Sequence, residues 1–431
     1  MNIPVFPSHR QLLFPLLAVL NEHGPLKAKD AAAAVAEKLS LPPEITSATV
    51  RYSGESRSAN VFQRRVRWTR QSAVEAGFIV AGAQHGVWDL AERGHKTLTM
   101  SRAGVCVEVH TTDLGTVLFA EAKTAMAIME PGSIQLCVTS SPFPLVVARP
   151  YGGWATDTFL DTLLGHIDMM KPLLTHDGSV VLNLGDTYEP GRPTLFPYQE
   201  ALVLEMIRRQ WHLVGKVIHV NPSKPKTTNY VTKTRERLAS GFETYWHFAT
   251  NPRPNCDNRR VLEPYSDTHL RTLAKGGELR RTRTGSRQSC PGLRYREDNG
   301  GRIPYNVITC PHEASNGPYV RFCKRHGLPV HPARMPVPVA RFFVRYASAP
   351  GQYVFDPFAG SLVVPAVCEE LGRPYVAIEK CFEYLLGGGF RLQEAAGFAA
   401  RSPFARGTKL VSGIDSQVFP AASAQGVTMS A

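Results

Sequence analysis

From Gly104 onward, apolar runs of strand length alternate with stretches of helix length, and this alternation limits the possible architectures most severely. SIQLCVTS (Ser133 to Ser140), SVVLNLG (Ser179 to Gly185), YVFDPF (Tyr353 to Phe358) and YVAIE (Tyr375 to Glu379) read as strands buried on both faces. DTFLDTLLGHIDMMKPLL (Asp157 to Leu174) and LVVPAVCEELG (Leu362 to Gly372) supply helices between them. The expectation is an α/β fold with a doubly wound, mostly parallel sheet. Ligands of such sheets bind beyond the C-terminal ends of the strands.

The first 100 residues follow a different pattern. RQLLFPLLAVLNEHG (Arg10 to Gly24) and AKDAAAAVAEKL (Ala28 to Leu39) have helical periodicity, with Asp30 the expected N-cap of the second. RSANVFQRRVRWTRQSAVEAGFIV adds an Arg-rich third helix, and GVWDLAERGHKTL (Gly86 to Leu98) a short strand and turn. Helices followed by a two-stranded wing make a winged helix, and this segment resembles the N-terminal domain of Mrr-type restriction proteins. DNA contact through the Arg-rich helix is one reading, and a helical docking module with a solvated basic face is the other.

Composition narrows the class of partner. The 431 residues carry a formal charge of +13, which points to a polyanion and above all to double-stranded DNA. The eight cysteines include no C-x-x-C pair, so neither a zinc ribbon nor a disulfide framework is expected, and no metal is assigned. No basic-then-apolar leader is present, and no apolar run approaches the roughly 18 residues that span a bilayer. A cytoplasmic protein, without membrane contact and nucleoid-associated when on DNA, is the expectation.

Two short stretches carry chemistry. In DPFAGS (Asp356 to Ser361), Gly360 follows a strand and precedes a helix, where the backbone turns tightly or approaches a ligand. Glu379 ends the next strand 19 positions later, near the roughly 20-residue spacing at which an acid meets a ribose diol. A ribose-bearing cofactor is therefore expected. In VTSSPF (Val138 to Phe143), a hydroxyl, rigid carbonyls and an aromatic ring stand at the end of another buried strand, suited to holding a planar ligand.

TSSPF resembles the catalytic motif of amino-group DNA methyltransferases, and DPFAGS resembles their S-adenosylmethionine motif. In the beta-class enzymes the catalytic motif comes first, which accounts for DPFAGS lying near the C-terminus. DNGGRIPYNVI (Asp298 to Ile308), ASNGPYVRFCKRHGLPVHPARMP (Ala314 to Pro336), NPSKPK (Asn221 to Lys226) and EPYSD (Glu263 to Asp267) also resemble the PvuII-type N4-cytosine methyltransferases. The resemblance implies a Rossmann-like methyltransferase sheet with permuted motif order behind a winged helix of residues 1–100. Residues 104–250 would form the catalytic half, 251–302 a basic target-recognition insertion, 303–400 the cofactor half and 401–431 a flexible tail. The insertion has twelve Lys/Arg against six Asp/Glu and is expected to be mobile.

Carried over by position, Ser140 would be the catalytic serine within a turn completed by Ser141, Pro142 and Phe143, whose ring would stack on the base. Asp356, Phe358, Gly360 and Ser361 would lie against S-adenosylmethionine, and Glu379 would bind its ribose hydroxyls. Asp113, in DLGTVL, would approach the adenine, and His331 and Pro332, in HPARMP, would line the methionine end, His331 without an acid–base role. The implied reaction is methyl transfer to N4 of a flipped-out cytosine, with Ser140 Oγ and the Ser141 carbonyl accepting the amino hydrogens. No covalent nucleophile is needed, and no cysteine here follows a proline, as C5-cytosine chemistry requires. Ser141 replaces the family's first proline, and Leu362 occupies a place often held by glycine, where a positive φ would cost roughly 1–2 kcal/mol. Methylation of adenine N6, and a DNA-binding regulator on the same fold, are the alternatives. A cognate restriction endonuclease is a possible partner, and the sequence leaves the oligomeric state open.

Overall fold

The computed structural model describes residues 6–7, 9–39, 41–50, 58–75, 77–82, 86–92, 94, 101, 104, 106–142, 158–189, 192–224, 229–277, 296–312 and 315–400. At the N-terminus, helices His9–His23, Ala28–Lys38, Pro43–Thr46 and Val61–Glu75 accompany strands β1 (Leu26–Lys27), β2 (Thr49–Val50), β3 (Ala59–Asn60), β4 (Ile79–Ala81) and β5 (Val87–Leu90). The wing is a hairpin of β4 and β5, widened to three strands because Leu26 and Lys27 pair with Trp88 and Val87. The N-cap of the second helix is Lys27, without a side-chain cap, and Asp30 lies inside the first turn instead. There the carboxylate still complements the positive end of the helix dipole.

The Arg-rich helix Val61–Glu75 spends part of its charge internally. Arg65 donates to the carbonyl of Pro7 at 2.9 Å, and the Arg70 guanidinium sits 5.8 Å from the centroid of the Trp88 ring. Arg67 and Trp68 face solvent.

The larger unit is one ten-stranded sheet. Its strands are β6 (Cys106–Thr111), β7 (Gly115–Ala120), β8 (Ile134–Ser140), β9 (Leu174–Leu184), β10 (His212–Val220), β11 (Phe242–Ala249), β12 (Val307–Thr309), β13 (Tyr353–Asp356), β14 (Tyr375–Glu379) and β15 (Ala399–Ala400). The spatial order is β12-β10-β11-β9-β8-β13-β14-β7-β6-β15. At the centre β9, β8, β13, β14 and β7 are all parallel, while β6, β11 and β15 pair antiparallel to their neighbours. The doubly wound reading therefore holds, with antiparallel flanks.

Alternate residues explain the continuous apolar runs. Val138, Val354 and Ala377 face one layer, which includes Val339 and Phe343 of the helix Val337–Ala347. Cys137, Phe355 and Ile378 face the other, with Leu163 and Ile167 of the helix Phe159–Met170. A strand covered on both sides has no polar face to show.

The insertion is more ordered than its composition predicts. Ser266 caps the helix Asp267–Ala274, Glu263 and Arg302 form a backbone bridge, and the Asp257 N–H donates to the Tyr346 carbonyl at 3.0 Å. Residues 278–295, which carry five of its arginines, lie outside the described residues, as do 401–431.

Leu362 has φ +58° and ψ +38°, the left-handed conformation, immediately before the helix Val363–Leu371. Its side chain is fully buried, and what makes room for it is Gly388 in the helix Phe382–Gly389, where a Cβ would stand 2.6 Å from Leu362 Cγ. Burying a leucine contributes about 1.5–3 kcal/mol, enough to offset a left-handed penalty of about 1–2 kcal/mol. Gly388→Ala is expected to lower unfolding stability by about 2 kcal/mol through overpacking. The loss should shrink to under half in a Leu362→Ala background, and a urea-unfolding double-mutant cycle measures that coupling.

Candidate active site

The parallel core brings the C-terminal ends of β7, β8, β13 and β14 to one edge, where they border a cavity of about 340 Å³. Each strand contributes through the residues that follow it. Glu121 comes after β7, Ser140 to Pro142 from the end of β8, Asp356 to Ser361 from β13, and Glu379 with Lys380 from β14.

The turn after β13 is held from three sides. The Thr139 hydroxyl donates to Asp356 Oδ1 at 2.6 Å, and the same oxygen accepts the Phe358 N–H at 3.1 Å. Glu379 accepts the Gly360 N–H at 2.9 Å through Oε2 and the Cys381 N–H at 2.8 Å through Oε1. The Ser361 carbonyl accepts from Arg391 Nε at 2.9 Å. Gly360 itself is required twice over: its φ is +51°, and a Cβ would lie 2.9 Å from the His331 ring. That ring packs edge-on against Tyr384 with centroids 4.6 Å apart, and burial pushes its pKa down to about 4. His331 is thus a neutral wall of the cavity.

Burial also pushes the Asp356 carboxyl up to about 7, against the pull of the Thr139 and Phe358 donors and with the nearby Glu379 adding to the rise. Glu379 is raised by burial as well, opposed by its backbone N–H partners. Three acids, Glu121, Asp356 and Glu379, face Lys123 and Lys380 around the cavity. A cationic ligand with hydroxyl groups suits this lining, since acids border the cavity and a carboxylate offers about four acceptor sites, more than the Gly360, Lys380 and Cys381 N–H groups take up at Glu379.

A second cavity of about 210 Å³ shares Ser140, Ala333 and Met335 with the first and adds Asn183, Glu243, His312, Pro332 and Arg334. Ser140 and Asn183 are register partners on β8 and β9. Asn183 Nδ2 donates to Glu243 Oε2 at 3.4 Å, while its Oδ1 is buried with no partner among the described residues. Burial works to raise the Glu243 carboxyl, but the contact with His312 and the charge of Lys224 outweigh it and hold it at about 2. Ser141 is 2 % exposed, and its Oγ is also without a partner among the described residues.

Of the residues singled out from sequence, Ser140, Ser141, Pro142, His331, Asp356, Phe358, Gly360, Ser361 and Glu379 border the larger cavity, and Pro332 borders the smaller. Asp113 does not join them. It precedes the first residue of β7 by two positions, and β7 runs parallel to β14, so Asp113 stands at the opposite edge of the sheet from Glu379. Its N–H is bonded to the Ala396 carbonyl at 2.9 Å. The acid that β7 delivers to the cavity is Glu121, one residue beyond the strand, just as Glu379 closes β14. Phe143 lies outside the described residues. Sequence reasoning missed Glu121, Thr139, Asn183 and Glu243. A strand-end signal existed for Glu121, whereas Asn183 and Glu243 reach Ser140 only through strand pairing.

The Asp356 carboxyl moves from 3.8 to about 7 on folding, so the folded chain holds a proton that the unfolded chain has released between those values. Stability contributed by this group falls as pH rises through that window and stays low above it. His331, lowered to about 4, acts in the opposite sense. Asp356→Asn is therefore expected to gain stability relative to the parent at pH 8 but not at pH 4, as urea unfolding at the two pH values measures.

The DNA methylase family profile matches residues 134–386, and the Mrr N-terminal domain profile matches 9–100. The type II methyltransferase M.PvuII of Proteus hauseri is 30 % identical over 284 residues, 65 % of this chain and 84 % of the relative. M.XycI of Xanthomonas campestris pv. cyanopsidis, another type II methyltransferase, is 25 % identical over 316 residues, 65 % of this chain and 88 % of the relative. Among solved structures, the cytosine-N4-specific PvuII DNA methyltransferase superposes with a TM-score of 0.53 at 26 % identity, covering 66 % of this chain and 88 % of that one. The family profile spans more than half of the chain, including the turns after β8 and β13, and the chain belongs to the DNA methylase family, with an Mrr N-terminal domain ahead of the catalytic unit.

Proposed function

We propose that the chain transfers a methyl group from S-adenosylmethionine to N4 of a cytosine flipped out of duplex DNA. The observation that carries this reading is the position of Ser140, which borders both the acid-lined cavity and the smaller polar one. The cofactor fits the residues present: Glu121, Asp356 and Glu379 border the cavity as acceptors for hydroxyl groups and as partners for a cationic centre, and Gly360 lets the His331 ring close against that wall. Phe358 and Ser361 complete that wall, and Pro332 stands on the side of the base.

S-adenosylmethionine supplies an electrophilic sulfonium methyl. The chain's task is to prepare the amine. The lone pair on cytosine N4 is delocalised into the ring, and acceptors that hold both N–H groups draw it toward a nucleophilic geometry. We assign this role to Ser140 Oγ and the Ser141 carbonyl, and Asn183 Oδ1 on the neighbouring strand, without a partner among the described residues, is a further acceptor. Ionised Glu243 fixes the Asn183 amide so that its oxygen is the free end. Pro142 stiffens the turn, and Phe143 is assigned the stacking contact with the base. Alignment of the two reactants supplies much of the rate.

The net charge of +13 and the arginines of 251–302 suit the DNA phosphates, with arginine also able to pair with guanine edges. In the N-terminal unit, Arg67 and Trp68 are exposed and offer a second set of contacts for DNA. In the cell the chain protects host DNA against a cognate endonuclease, or modifies DNA on its own. Among the described residues no helix is long and apolar enough to cross a membrane.

The test is methyl transfer from labelled cofactor to unmethylated genomic DNA, followed by nucleoside mass spectrometry. N4-methylcytosine is the expected product, and N6-methyladenine in its place would overturn the base assignment. Ser140→Ala should lower the turnover about 100-fold or more, the scale of losing one preorganised polar contact at a reacting centre. Phe143→Ala should weaken DNA-dependent turnover while leaving cofactor affinity unchanged.

A further inference from the structure

We infer that His219, Glu243 and His312 form a binding site for one divalent transition-metal ion of the zinc class. The three come from neighbouring parts of the sheet: His219 on β10, Glu243 on β11 and His312 three residues beyond the end of β12. Strand pairing makes His219 and Glu243 direct partners. One ligand atom from each of the three residues lies within 4.8 Å of the others, and His312 Nε2 is 3.6 Å from Glu243 Oε1. Tetrahedral ligands around zinc stand about 3.4 Å apart, given metal–ligand bonds of about 2.0–2.2 Å, so small side-chain shifts close the set.

The hydrogen bonds around the cluster point the same way. His219 is fully buried, and its Nε2 lies 2.9 Å from the Cys310 carbonyl, an acceptor only, so Nε2 carries the proton. Nδ1 is then a bare lone pair, and it has no hydrogen-bond partner among the described residues. A backbone carbonyl that fixes the tautomer of a ligating imidazole is the usual support behind a metal ligand. Asn183 plays the equivalent part for Glu243, donating to Oε2 and leaving Oε1 toward His312. Two imidazoles and one carboxylate select zinc, cobalt or nickel over magnesium. Glu243 and His312 border the smaller cavity, so the fourth coordination position opens toward the chamber that also holds Ser140.

One competitor for the carboxylate is present. Lys224 Nζ lies 3.6 Å from Glu243 Oε1, and its side chain is 29 % exposed. It can withdraw toward solvent when an ion arrives, but it does nothing for the buried Nδ1 of His219. The inference is independent of which base is methylated.

The test uses the untagged full-length chain, stripped of metal and titrated with Zn²⁺ by calorimetry and with Co²⁺ by visible absorption. One equivalent of each is expected to bind, cobalt with the intense d–d bands of a tetrahedral site, while Mg²⁺ gives no saturable heat. Glu243→Gln and His312→Ala should each weaken Zn²⁺ binding at least 100-fold. His312 is partly exposed and is the variant least disturbing to folding, which circular dichroism melting checks. Absence of one-equivalent binding by the parent chain, or binding that persists undiminished in either variant, would overturn the inference.

Discussion

A buried hydrogen bond ties the turn after β8 to the turn after β13. Thr139, beside the catalytic turn, donates to Asp356, 217 positions later in the chain and at the head of the cofactor turn. Both residues are buried, so the bond is unscreened; it contributes about 0.5–1.5 kcal/mol while the carboxyl is protonated and about 1.5–3 kcal/mol once it is ionised. More important than its strength is what it aligns. The β8–β13 pairing sets the height of the two turns, and the side-chain bond keeps them together beyond the point where backbone pairing ends. The acid that accepts it is costly to ionise there, which ties the protonation of the cofactor turn to the geometry of the catalytic one.

Backbone strain in the cofactor turn is absorbed by a second set of residues. Gly387, Gly388 and Gly389 close one helix in succession, and each makes room for a different side chain: Cys323, Leu362 and His110. A run of three glycines weakens a helix in isolation, by about 1 kcal/mol each relative to alanine. Here it lets the left-handed Leu362 bury its side chain completely, next to the residues that border the cavity. The leucine that looks unfavourable as an isolated motif position is thus part of the support beneath the turn.

The sheet was legible because its central strands are buried on both faces, which leaves uninterrupted apolar runs such as IQLCVTS and YVAIE. The residues of the larger cavity were legible where they adjoin those runs, as Ser140, Asp356 and Glu379 do. Asp113 was misplaced because motif spacing says which residues lie near a strand but not at which end of it; the direction of β7 decides that. Asn183, Glu243, His219 and His312 were illegible for another reason. They meet through pairings of β8 with β9 and of β10 with β11, and separations of 24 and 69 positions between successive members of the histidine–glutamate set follow no metal-ligand spacing rule. The order of the basic insertion's start also escaped composition, because Asp257 and Glu263 spend their hydrogen bonds on the fold.

The proposed cofactor site lies at one edge of the sheet, at the ends of β13 and β14, and calorimetric titration with S-adenosylmethionine tests it directly. The parent chain should bind one equivalent, Glu379→Gln should bind at least 10-fold more weakly, and Asp113→Asn, at the opposite edge, should bind as the parent does. Loss of affinity in Asp113→Asn with full affinity in Glu379→Gln would contradict the account.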